Sequence, residues 1–105
     1  MKPVKEKRLH QRVSVEVHVT CEGYGETAFE GIGKDLSVGG MFVETDRVPP
    51  FGTQLVLQTD IGKSRVSLPA VVRSTRTGGF GVQFGLLGAR ETHAITDVIR
   101  KGKGL

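Results

Sequence analysis

Lys34-Asp35-Leu36-Ser37-Val38-Gly39-Gly40-Met41-Phe42 decides how this chain of 105 residues is to be read. It reads as the end of one strand, a tight glycine turn and the start of the next. Period-2 alternation predicts Asp35 and Ser37 on one face and Leu36 and Val38 on the other. One face then carries a carboxylate beside a hydroxyl, and the other packs into a core. Gly39-Gly40 permits positive φ, or lets a ligand approach the backbone with no Cβ in the way. An anionic or amide-rich ligand at such a face needs a cationic partner, and Arg8 and Arg12 near the N-terminus supply one.

The strands around this stretch follow from alternation. Val13, Val15, Val17, Val19 and Cys21 face one way and Ser14, Glu16, His18 and Thr20 the other, a half-buried strand over Arg12–Glu22. Glu22–Glu26 reads as a hairpin turn, and a second strand runs over Thr27–Ser37. Gly31 and Gly33 blur its pattern and predict a bulge or sharp bend. Gly31-Ile32-Gly33 lacks the third glycine of a dinucleotide loop, since Leu36 stands there, and no helix follows. Further strands are predicted over Gly40–Thr45, Thr53–Asp60 with Leu55 and Leu57 inward, Ser64–Thr75, and the run in which Phe80, Val82 and Phe84 alternate with glycines and Gln83. Pro49-Pro50 breaks the chain between the third and fourth, and Pro69 places the fifth at an edge or a bulge. Ile95, Val98 and Ile99 then change the period to that of one amphipathic helix over Ala89–Lys101, capped by Gly102.

The fold class is therefore all-β with one C-terminal helix. Six strands in sequence with short turns predict an antiparallel sheet, and closing it into a small barrel removes its edges. A two-sheet sandwich stays open on pattern alone. Residues 1–7 read as a flexible N-terminal arm, 8–101 as a single domain and 102–105 as a tail.

The net charge of +4 and pI near 9.6 favour an anionic partner without naming it. The single Cys21 excludes an internal disulfide and fits a reducing compartment. Its place in the apolar set makes it a buried structural thiol. No apolar run approaches the roughly 18 residues that span a bilayer. The N-terminus has no apolar segment of a secretory signal, so a cytoplasmic location is expected. His10, His18, Cys21 and His93 do not form a metal set, because His18 and Cys21 face opposite sides of one strand. Ser37 has no neighbouring histidine and no nucleophile elbow, which argues against an enzyme. General nucleic-acid binding lacks interleaved surface aromatics, since Phe80 and Phe84 face the core.

The binding constellation is Arg8, Arg12, Asp35, Ser37 and Gly40. A guanine nucleotide suits it chemically. Guanine O6 and N7 accept from an arginine fork, N1–H and the amino group donate to a carboxylate, and phosphate oxygens take the second arginine.

Arg8-Leu9-His10-Gln11-Arg12 has the form R-x-x-x-R, and Asp35-Leu36-Ser37-Val38-Gly39-Gly40 the form D/N-x-S-x-x-G. With Ala70-Val71-Val72-Arg73, Gly81-Val82-Gln83-Phe84 and the closing helix, the chain from Lys7 to about Lys101 resembles a PilZ domain. The resemblance implies a six-stranded antiparallel barrel of the split-barrel type that binds the bacterial second messenger cyclic di-GMP. It implies that Arg8 and Arg12 hold guanine and phosphate. Asp35 and Ser37 then bond a guanine edge, and Gly40 leaves room for the ligand. Lys7 stands where many members carry another arginine, a position tied to binding a stacked ligand dimer. No cofactor is implied, and the output is a downstream protein that reads the bound state. The alternative is a PilZ-like protein-interaction adaptor that binds no nucleotide.

Overall fold

The computed structural model describes residues 11–101. Six strands and a helix follow one another: β1 (Val13–Glu22), β2 (Phe29–Leu36), β3 (Gly40–Glu44), β4 (Gln54–Ile61), β5 (Ser64–Arg76), β6 (Gly79–Phe84) and α1 (Ala89–Lys101). They close into an antiparallel barrel in the order β1-β2-β3-β6-β5-β4. Closure is made by β1 pairing with β4, from Val19 opposite Thr59 to Glu22 opposite Val56. This decides for the barrel against the sandwich.

Alternation builds the interior. Val13, Val15, Val17, Val19 and Cys21 are all buried, and so are Phe80, Val82 and Phe84. Leu36, Val43, Leu57, Leu68, Val72 and Ile95 join the same cluster at no measurable exposure. Thr59 is the buried polar side chain among them, and its hydroxyl donates to the carbonyl of His18 at 2.7 Å. That bond offsets the cost of burying the hydroxyl.

Gly33 borders an irregularity, while Gly31 pairs with Val19 in regular register. Gly33 pairs with Val43 and Asp35 with Phe42, so Lys34 is an extra residue on β2. Both glycines are buried because β3 side chains cross over them. A Cβ on Gly33 would stand 2.8 Å from Met41 Sδ, and one on Gly31 2.5 Å from Val43 Cγ1. Pro69 sits where β6 has ended. Ala70 pairs with Phe84, and beyond it Gly85 N–H donates to Pro69 O at 2.7 Å. The proline has no N–H to return a bond to Gly85 O, so the β5–β6 ladder ends at this pair.

The first turn is longer than expected, since β2 begins at Phe29 rather than Thr27. Arg47 holds this loop, its guanidinium 5.4 Å from the ring centroids of both Tyr24 and Phe29. The helix α1 packs Ala94, Ile95, Val98 and Ile99 inward against β4 and β5. Its last turn is fastened by Asp97, which takes Lys101 Nζ at 3.1 Å and Arg100 at 3.2 Å. The hydrogen bond from Lys101 and its charge, followed by Arg100, hold the Asp97 carboxyl below its usual range. No helix among the described residues is long and apolar enough to cross a membrane.

Candidate functional site

Between β2 and β3 the chain turns on Ser37. Its Oγ accepts the N–H groups of Gly39 and Gly40, both at 3.1 Å, while its own N–H donates to Gly40 O at 2.9 Å. Serine is suited to this because its oxygen substitutes for a carbonyl in a tight turn. The turn is tied to β6 by Phe84 N–H donating to Gly39 O at 2.8 Å. Two expectations change here. Val38 is 37% exposed rather than in the core, because the strand ends at Leu36 and alternation stops with it. Gly39 and Gly40 are not among the positive-φ glycines. Gly40 lacks a Cβ for another reason: one placed there would collide with the carbonyl oxygen of Val82. Close approach of β3 to β6 thus requires glycine at this position whether or not a ligand is near.

Asp35, exposed on β2, lies opposite Ser14 on one side and Phe42 on the other. Arg12 immediately precedes β1 and is exposed. Arg12, Asp35, Ser37 and Gly40 line a single open cleft of about 620 Å³. That volume is within the range of small-molecule sites, roughly 300–1,000 Å³. Lys7 and Arg8 lie outside the described residues.

The opposite wall comes from a part of the chain that sequence reasoning did not assign to the site. Arg73, Arg76 and Gln83 line the same cleft. Positions three apart on a regular strand face opposite sides. However, Val72 pairs with Val82 and Ser74 with Gly81, so Arg73 is an extra residue in β5. Arg73, next to buried Val72, already faces out by alternation, and the bulge shifts the phase after it so that Arg76 faces the same solvent side. Arg73 Nε donates to Gln83 Oε1 at 3.0 Å, which orients the guanidinium. Arg76 lies over the ring of Phe42, 4.2 Å from its centroid. Such a cation–π contact contributes about 0.5–1 kcal/mol at an exposed site. The charges around the cleft are three arginines against one carboxylate, which suits a ligand bearing phosphates and a hydrogen-bonding base.

Other reactive groups are differently placed. Cys21 is fully buried, and burial, reinforced by the charge of Glu30, pushes its thiol pKa up to about 12. A thiol so protonated is a poor nucleophile. His18 Nε2 stands 2.9 Å from Glu30 Oε1, and the Thr20 hydroxyl donates to the same oxygen at 3.1 Å. This is an exposed cross-strand contact on the β1–β2 ribbon, outside the cleft of Arg12. Among the described residues no group of three or more His, Cys, Asp or Glu is arranged to hold a metal ion.

The described residues thus form a closed six-stranded barrel with a basic cleft on its flank. The chain belongs to the PilZ domain family, whose model matches residues 6–100. A comparison with curated proteins finds no match. Among solved structures it resembles the PilZ domain of CeSA from a cellulose-synthesizing bacterium, with 17% identity and a TM-score of 0.70 over 87% of this chain and 96% of that one. It resembles the PilZ domain of YcgR from Escherichia coli, solved with c-di-GMP, with 14% identity and a TM-score of 0.77 over 91% of each chain. It also resembles the Bacillus subtilis inhibitor of motility MotI/DgrA, with 19% identity and a TM-score of 0.74. That match covers 94% of this chain and 56% of the other, so this chain spans about half of that protein. At these identities the likeness is one of fold.

Proposed function

We propose that this protein is a bacterial cytoplasmic receptor for cyclic di-GMP that performs no chemistry on it and transmits the bound state to a partner protein. The observation that carries this reading is the convergence of Arg12, Asp35, Ser37 and Gly40 on one cleft, although they arise from two motifs far apart in sequence. Family membership supports the ligand class, as does the E. coli relative solved with c-di-GMP. In this reading Arg12 takes a phosphate by a charge-assisted fork and Asp35 accepts from the N1–H and amino group of guanine. Lys7 and Arg8 extend the cationic side. Ligand binding changes the N-terminal arm and the surface beside it, and that change is what the partner reads.

Titration calorimetry of the full chain with cyclic di-GMP tests the proposal. Heat with saturable stoichiometry at tens of micromolar protein is the expected result, and its absence in moderate salt refutes the reading. The titration also gives the number of ligands per chain, and so whether Lys7 substitutes for arginine in holding a stacked pair.

One observation favours a second reading, an adaptor that works without nucleotide. The Ser37 hydroxyl already accepts two backbone N–H groups, so the motif has a structural use of its own. A partner captured equally with and without cyclic di-GMP would support it.

A further inference from the structure

Phe42 and Arg76 have an arrangement that neither motif explains. Phe42 projects from the outer side of β3, and the far end of its ring lies over Gly79 of β6. A Cβ on Gly79 would stand 2.5 Å from Phe42 Cζ and 2.7 Å from Cε2, so only glycine leaves the ring this seat. Arg76, paired with Gly79 across the β5–β6 ladder, sets its guanidinium over the same ring, 4.2 Å from the centroid. The ring thus touches both the backbone at Gly79 and the Arg76 guanidinium. Arg76 is exposed. The same two residues also line a neighbouring groove bordered by Glu30, Glu44 and Asp46, and so form the wall between it and the basic cleft.

A guanidinium seated on a ring is held flat. Its second face and its N–H edge then remain available in a fixed orientation, the geometry with which arginine stacks on a planar base. Lysine shares the charge but has no plane to offer.

We infer that Arg76, seated on Phe42, is a ligand-binding residue of the cleft, whose guanidinium stacks on a guanine base of the bound dinucleotide. This rests on the receptor reading above and adds a wall to it that belongs to neither motif. Arg12 and Asp35 engage the ligand from the β1–β2 side, and Arg76 closes on it from the β5–β6 side. The stack orders one base without a base-specific hydrogen bond. Specificity for guanine is left to Asp35, while Arg76 supplies affinity for any flat purine.

The test is a set of cyclic di-GMP titrations on the full chain, comparing wild type with Arg76→Lys, Arg76→Ala and Phe42→Leu. Loss of base stacking predicts a Kd raised about tenfold in Arg76→Lys, despite the conserved charge. Arg76→Ala should be at least as weak, and Phe42→Leu should weaken binding by removing the seat. Guanine hypochromism on binding should diminish in Arg76→Lys, which a merely structural arginine would not cause. Thermal midpoints of the Arg76 variants should fall by no more than about 5 °C, the share of the exposed cation–π contact. A wild type that binds while both Arg76 variants bind within twofold of it, with unchanged hypochromism, overturns the inference and leaves the receptor reading intact. A wild type that does not bind refutes the receptor reading, and the inference falls with it.

Discussion

A side chain on Gly40 would run into the backbone carbonyl of Val82. The last residue of the D-x-S-x-x-G motif is therefore fixed by the approach of β3 to β6. Gly40→Ala forces these strands apart where Gly40 pairs with Gln83. Overpacking of this kind costs about 1–3 kcal/mol. A lower urea midpoint is expected even with no ligand present. Unaltered stability combined with lost binding would instead make Gly40 a ligand-clearance position.

Ser37→Ala separates two roles of one hydroxyl. Removing the acceptor for the Gly39 and Gly40 N–H groups should destabilise the apo protein by about 1–2 kcal/mol, measured by chemical denaturation. Ser37→Thr keeps the oxygen and should recover most of this. If Ser37→Ala loses binding at unchanged stability, the hydroxyl serves the ligand rather than the turn.

Arg12→Ala should do the reverse. Arg12 is exposed and lies outside the strand ladder, so its loss should leave the thermal midpoint within a degree or two of wild type. Cyclic di-GMP affinity should fall at least about tenfold, as for loss of a charge-assisted contact. Affinity equal to wild type would place the ligand elsewhere.

Cys21 gives the fold a dependence on alkaline pH. Its thiol pKa is raised from 9.0 to about 12 in the folded protein. The unfolded chain therefore loses this proton first as pH rises. Between about pH 9 and 12 it binds fewer protons than the native state, so stability falls by up to roughly 1.4 kcal/mol per pH unit from this group. The contribution is fully present below pH 9. Replacing Cys21 with Val removes the ionisation, and the difference in denaturation midpoint between the two proteins should change with pH only above about 9. The native thiol should also resist alkylation at pH 8 until the protein is unfolded.

The strands were legible because the barrel buries every second residue. Val13 to Cys21 reads as inside and outside without ambiguity, and α1 was legible to its terminal residues because its period differs from that of everything before it. The acidic half of the cleft, with Arg12, was legible as well, as both lie in motifs of recognisable spacing. Arg73 and Arg76 were not. A strand read with strict period 2 places them on opposite faces, and only the extra residue at Arg73 reconciles them. A bulge is decided by pairing with a distant strand, here at Val82 and Gly81, and leaves no local mark. The steric role of Gly40 left no local mark for the same reason: its partner is Val82, more than forty positions away. Val38 was misplaced because alternation was carried one step past the end of β2.

The cleft draws on strands made at different times. Arg12 and the Asp35–Gly40 turn are synthesised first, and Arg73, Arg76 and Gln83 only near the end of the barrel. Pairing of β3 with β6 and of β1 with β4 are both distant in sequence, the kind of contact that slows folding. A nascent chain that has emerged as far as β3 carries Arg12, Asp35 and Ser37 but has no far wall to the cleft. On the receptor reading, the messenger should therefore be retained only by chains whose barrel has closed.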